Sequence, residues 1–160
     1  MTAIYVLSSL SVLIILTYVL AMTVKFGIQD FVSDDYYASK HKWLFTAVLV
    51  LSGLLLLPGM FEVNEDLGGL ALFGGLGLCF VGLEPHYRSS GKLIHSIGAY
   101  SCFGFWSIWS IVNAWHILLG TTILFGILYI ISNKKHPWWY VECASIGGCM
   151  MSALYTILFS

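Results

Sequence analysis

Glu142 is the residue of this sequence best placed to do chemistry, because it lies inside an apolar run. The run covers residues 138–159, and Glu142 sits about one helical turn in, after Trp138, Trp139 and Tyr140. A lone carboxylate in hydrocarbon is costly, so it must be neutral, paired or turned to water. Lys134 and Lys135 lie just upstream and are long enough to snorkel toward it. Ser145, Cys149, Ser152 and Thr156 follow Glu142 on one helical face. A polar seam of that kind points away from lipid, into a bundle or a wet path. Glu142, His95, Ser145, Cys149, Ser152 and Thr156 are therefore candidates for a ligand or ion pathway. The alternative is an interfacial Glu reaching the headgroups, above a seam that only packs.

The histidines offer a second chemistry. His95 lies about one turn inside another apolar run, with Glu84 and His86 in the linker before it. His41 and His136 each begin a further run, and Asp34 and Asp35 lie in a polar linker on the same predicted side. His95, His86, Asp34 and Glu142 are the groups from which a zinc or other divalent site would be built. Against it, no pair has a ligand spacing such as His-x-x-x-His, and the same residues read equally as ordinary interfacial groups. A bis-histidine haem from His95 and His116 fails, since the two fall at opposite membrane faces; His41 with His95 stays open but has no supporting motif. Cys79, Cys102, Cys143 and Cys149 lie within apolar runs without Cys-x-x-Cys spacing and read as small packing residues. No phosphate loop, nucleophile elbow or metalloprotease motif is present.

The elements that carry these residues follow from composition. The chain has 160 residues, 59% hydrophobic and 9% charged, against about 25% charged in a soluble domain. Six apolar runs, residues 4–24, 43–61, 67–83, 93–112, 117–131 and 138–159, have the length and continuity of spanning helices rather than of alternating barrel strands. The expected fold is all-α: one membrane domain over residues 1–160, a polytopic bundle of about six transmembrane helices. The first run lacks a basic flank and a cleavage site and is expected to be retained.

Every Lys and Arg falls in three alternate linkers: Lys25, Lys40 and Lys42 after the first run, Arg88 and Lys92 after the third, Lys134 and Lys135 after the fifth. The positive-inside rule makes that side cytoplasmic and puts both termini outside. Glu62, Glu65 and Asp66 form a tight outer linker after Pro58-Gly59, and Asn113 to His116 a short outer hairpin. Trp43, Trp115, Trp138 and Trp139 are expected in the interfacial belts. A short helix is expected to start at Ser33 as N-cap, with Asp34 and Asp35 in its first turn.

Small residues recur at packing intervals: Ala71, Gly75 and Cys79; Gly98 and Cys102; Ala144, Gly148 and Ser152. They serve either tight packing within one bundle or a homo-oligomer interface.

The stretch Phe80-Val81-Gly82-Leu83-Glu84-Pro85, followed by His95 and Gly98-Ala99, resembles a pattern in small multispan bacterial membrane proteins of unknown function, similar to the broad Frag-type group. Val32 to Tyr37 with Lys42 to Thr46 resembles the first linker and second helix of such proteins. The resemblance implies a prokaryotic or phage source, a bacterial inner membrane and a compact helical bundle, and carries no activity. A more distant similarity is to intramembrane zinc hydrolases related to alkaline ceramidase and the adiponectin receptors. Those hold a cytoplasm-side zinc on histidines, whereas here the last helix offers Glu142 in place of paired histidines.

The sequence therefore points first to a non-enzymatic membrane protein that binds a lipid or apolar ligand or serves as an accessory subunit. A small transporter or channel using the last helix, and a metal-dependent intramembrane hydrolase, are the alternatives. The expected partners are the bilayer, with a bound lipid, and a second copy or membrane complex. The net charge of -1 gives no reason to expect nucleic acid. A cysteine placed beside Lys134 should stay unlabelled by an impermeant maleimide in intact cells; labelling there would reverse the predicted orientation.

Overall fold

Helix α1 (Thr2–Phe26) buries Ser8, Ser11, Val12, Ile15 and Met22, one stripe at helical spacing, and leaves Val6, Leu13, Leu20 and Val24 exposed. Apolar residues on the exposed side are what a lipid-facing helix requires. The chain is described by a computed structural model over residues 2–83 and 91–159. Gly27, at φ +79°, ends α1 with its amide bonded to Thr23 O at 2.9 Å, a left-handed C-terminal glycine. A strap, residues 27–41, then crosses to α3. It holds a 3-10 turn (Val32–Asp34) and the single-turn helix α2 (Asp35–Ala38).

Helix α3 (Lys42–Val63) runs through Pro58, so Glu62 is helical and not part of the linker assigned to it from sequence. A 3-10 turn (Glu65–Leu67) leads into α4 (Gly68–Leu83), and α5 (Gly91–Ile131) and α6 (Pro137–Phe159) complete the chain. Among the described residues, five helices are long and apolar enough to cross a membrane.

Helix α5 has 41 residues, roughly 60 Å at 1.5 Å per residue and twice a hydrocarbon core. It is broken at Ala114, where φ −156° and ψ 51° leave the helical region. Its contacts with α6 reverse there. His95 shares a cavity with Glu142, and Ser107 lies 3.7 Å from Cys149. Beyond the break, His116 packs on Tyr155, Thr121 lies beside Gly148, and Tyr129 packs on Tyr140. Partners on α6 thus rise along residues 91–113 and fall along 115–131. The expected four-residue hairpin is in fact one non-helical residue with helix on either side. Asn113 helps pin it, bonding Asn64 Nδ2 at 3.0 Å through Oδ1 and Trp109 O at 2.8 Å through Nδ2.

Helices approach closely where side chains are small. Ser11 Oγ donates to Ser52 O at 2.7 Å, and Ser52 Oγ returns a bond to Ser11 O at 3.3 Å, joining α1 to α3. Trp106 lies over Gly74 and donates from Nε1 to Ala71 O at 3.0 Å, joining α5 to α4. Thr46 Oγ1 donates to Gly82 O at 2.7 Å between α3 and α4. At the α4–α5 crossing, a Cβ on Gly77 would fall 2.5 Å from Cys102 N and 2.6 Å from Gly98 O. These small-residue faces are spent inside the bundle.

Gly77→Ala should destabilise the protein by about 1–3 kcal/mol, since backbone must move. Gly104→Ala, where nothing lies within 4 Å, should stay within about 0.5 kcal/mol of wild type. Thermal unfolding in detergent separates the two; equal midpoints would refute the close crossing.

Candidate functional site: the strap, Glu142 and an apolar cavity

The strap lies across the start of α6. Its amides at Val32 and Ser33 open a helical turn and have no partner within it. Glu142 supplies one: Oε2 accepts from Val32 N at 2.7 Å, with the Ser33 amide next in the turn. A carboxylate at the N-terminal end of a helical turn is favoured by the aligned peptide dipoles as well as by the hydrogen bonds. Glu142 is thus held by backbone and not by Lys134 or Lys135, as the sequence had suggested. The turn starts at Val32, one residue before the predicted Ser33, and no hydroxyl caps it. Asp34 instead turns back to accept from Phe31 N at 3.2 Å.

Three further contacts fasten the strap. Asp30 Oδ1 lies 2.9 Å from His136 Nδ1, Phe31 stacks on Trp138 with ring centroids 6.2 Å apart, and Val32 is buried with Trp139, Tyr140 and Cys143. Trp139 is therefore a core residue at 8% exposure, not a belt residue. It packs edge-on against Tyr140, whereas Trp43, Trp115 and Trp138 are exposed as expected.

Asp35, in α2, is 2% exposed, and its Oδ2 has no hydrogen-bond partner. Burial pushes its carboxyl up to about 7, and the nearby charges of Asp34 and Glu142 add to the rise. Tyr18 of α1 is within electrostatic reach of Asp35, and its buried hydroxyl also lacks a partner. A donor and an acceptor thus lie unsatisfied in one buried region, an arrangement that costs stability unless protonation or a bound group resolves it.

Two cavities adjoin this region. A small one of about 20 Å³ is lined by Ser33, His95, Cys102 and Glu142 among apolar side chains, room for about one water. A larger one of about 300 Å³ lies between α1, the second half of α5 and α6. Ile15, Leu16, Leu124, Phe125, Ile146 and Met151 line it, Val32 of the strap bounds it, and Thr121 and Cys143 are its few polar atoms. Thr121 Oγ1 is already bonded to Ile117 O and Leu118 O at 3.0 and 2.9 Å. The cavity therefore offers apolar surface and little else.

The remaining candidates fall apart in space. Cys149 and Ser152 are buried, Ser145 and Thr156 half-buried, and Thr156 Oγ1 bonds Ser152 O at 2.8 Å within its own helix. Ser107 faces Cys149 from α5, so this part of the seam packs against another helix. His41 is exposed at the start of α3, His136 pairs with Asp30, and His116 sits against Tyr155 at the far end of α6. His86 and Glu84 lie outside the described residues. Among the described residues, no three His, Cys, Asp or Glu side chains converge to hold a metal. All four cysteines are buried and unpaired by disulfide. The Asp35–Tyr18 pair and the cavity beside Val32 were not foreseen; only the polarity of the strap hinted at the first.

Glu142→Ala should cost about 1–3 kcal/mol by orphaning the Val32 amide and should raise exchange of the strap amides with deuterated solvent. Ser152→Ala removes a buried hydroxyl without a partner and should be neutral or stabilising. Equal losses from both would show that the carboxylate does not hold the strap.

No protein-family model, no curated protein and no solved structure matches this chain.

Proposed function

We propose that this chain is a six-span integral membrane protein that holds a lipid acyl chain or another apolar molecule in the cavity between α1, α5 and α6. The observation carrying the reading is that cavity of about 300 Å³, walled almost entirely by apolar side chains. Its volume is at the lower end for ligand pockets, which suits one chain rather than a whole two-chain lipid. An apolar molecule gains little from moving out of lipid into protein, so shape and close packing must supply the affinity. Helix α5 supports the count of six, since each side of the break at Ala114 is long and apolar and the two sides run oppositely along α6. The strap, with Lys25, Lys40 and Lys42 about it, belongs on the cytoplasmic side by the positive-inside rule.

Gly147 borders the cavity, and a Cβ there meets only Phe125 at 3.8 Å. Gly147→Leu should fill the space without disturbing the fold. Native mass spectrometry from mild detergent should show an added lipid mass on the wild type. The bound fraction should fall about tenfold or more in the variant, a difference of about 1.4 kcal/mol or more. A wild type without added mass, or a variant that binds equally, refutes the reading.

A further inference from the structure

We propose that Asp35 and Glu142 form a one-proton site beneath the strap, and that release of this proton frees the strap from the edge of the apolar cavity. The inference goes beyond ligand binding and does not require it.

A buried carboxyl, Asp35, and a half-buried one, Glu142, lie within electrostatic reach of one another here. Glu142 comes from α6 and Asp35 from α2. The groups facing them are Asp34 from the strap, Tyr18 from α1, Cys143 from α6, and His95 from α5 across the small cavity. Lys42 of α3 lies over the Tyr36 ring at 5.2 Å. Two carboxylates so placed repel, and one proton between them relieves both the repulsion and the burial of a second charge.

Hydrogen bonding decides which carboxyl takes the proton. Glu142 already accepts the Val32 amide at 2.7 Å at the open end of a helical turn, so a negative charge there is solvated by the protein. Asp35 Oδ2 accepts from nothing and is fully enclosed. Asp35 therefore holds the proton. Tyr18, whose hydroxyl is buried and unpartnered, is the nearby polar group on the α1 side.

Asp35 is also the lever of the strap. It lies three residues after Val32, whose amide meets Glu142 and whose side chain borders the cavity. An ionised Asp35 is stable only if the turn lifts and takes the carboxylate to water, with the proton passing to the aqueous phase. Lifting the turn withdraws Val32 from both Glu142 and the cavity edge.

The sign follows from linkage. Asp35 titrates near 7 when the strap is docked and near its ordinary 3.8 when free. The docked state thus binds the proton more tightly, so docking is strongest at low pH. It weakens as pH rises from about 4 through about 7, by up to about tenfold per unit, and is level above that.

Hydrogen–deuterium exchange of the full chain in detergent, corrected for the intrinsic pH dependence of exchange, tests this. Between pH 5 and 7, protection of residues 28–38 should fall by up to about a hundredfold, while the core of α3 stays protected. Asp35→Asn should keep the strap protected at both pH values. Protection in the wild type independent of pH, or an unchanged pH response in Asp35→Asn, overturns the proposal. Should that variant fail to fold, infrared spectroscopy of wild type carrying carbon-13 aspartate decides. A protonated aspartate band at pH 5.5 that fades through pH 7 supports the site, and its absence at pH 5.5 overturns it. Gly147→Leu separates this from the cavity reading: the variant should lose bound lipid yet keep the pH response of the strap, and loss of that response with the fold intact counts against the latch.

Discussion

In a bilayer interior no water completes the hydrogen bonding of a backbone or side chain, so each polar group must find its partner inside the protein. Most interhelical polar contacts of this chain answer that constraint by joining helices that are otherwise apolar, while Asp35 Oδ2, the Tyr18 hydroxyl and Ser152 Oγ do not meet it. Ser11 with Ser52, Trp106 with Ala71, and Thr46 with Gly82 each bind a side chain to the main chain of a neighbouring helix. Each needs the backbones close together, which is why glycine and serine collect at the same crossings. Glu142 applies the same rule with a carboxyl group, and its partner, the Val32 amide, lies 110 residues earlier in the chain. The strap is thereby made part of the bundle and not a free loop.

Helix α6 is the common wall. Both halves of α5 lie along it, in opposite directions, and α1, α3 and the strap reach it as well. Its inner face carries Cys143, Ala144, Gly148, Cys149, Ser152 and Ala153, all buried. Large side chains there would push four neighbours outward. The cavity arises where this packing is incomplete: Gly147 presents no side chain to Phe125, and α1 does not close the gap.

Much of the architecture was legible because hydrocarbon thickness fixes helix length. The six apolar runs fall within the observed helices, and their ends differ by one to a few residues. The break at residue 114 was foreseen as a short hairpin over Asn113 to His116, but not as a single residue, since a one-residue break needs no glycine or proline. Facing was harder to read. In a helix apolar all round, nothing in the order Trp138-Trp139 says which indole turns inward; packing against Val32 and Tyr140 decides it. Glu142 was recognisable from the cost of its burial, but its partners were not, because backbone amides carry no sequence signature. Asp35 looked like an ordinary helix-start acid beside Asp34, and only burial tells them apart.

The break at Ala114 bears on how the molecule is made. Helices α1, α3 and α4 can join as they leave the ribosome, since the serine and threonine contacts among them lie within the first half of the chain. Residues 115–131 meet α1 and the strap only through apolar side chains, and their ring and small-residue contacts run along α6, which follows them in the chain. Until α6 is made, this segment lacks that wall, and Ser107 lacks the Cys149 thiol it faces. The pocket wall is therefore closed only once α6 has joined α1 and the second half of α5.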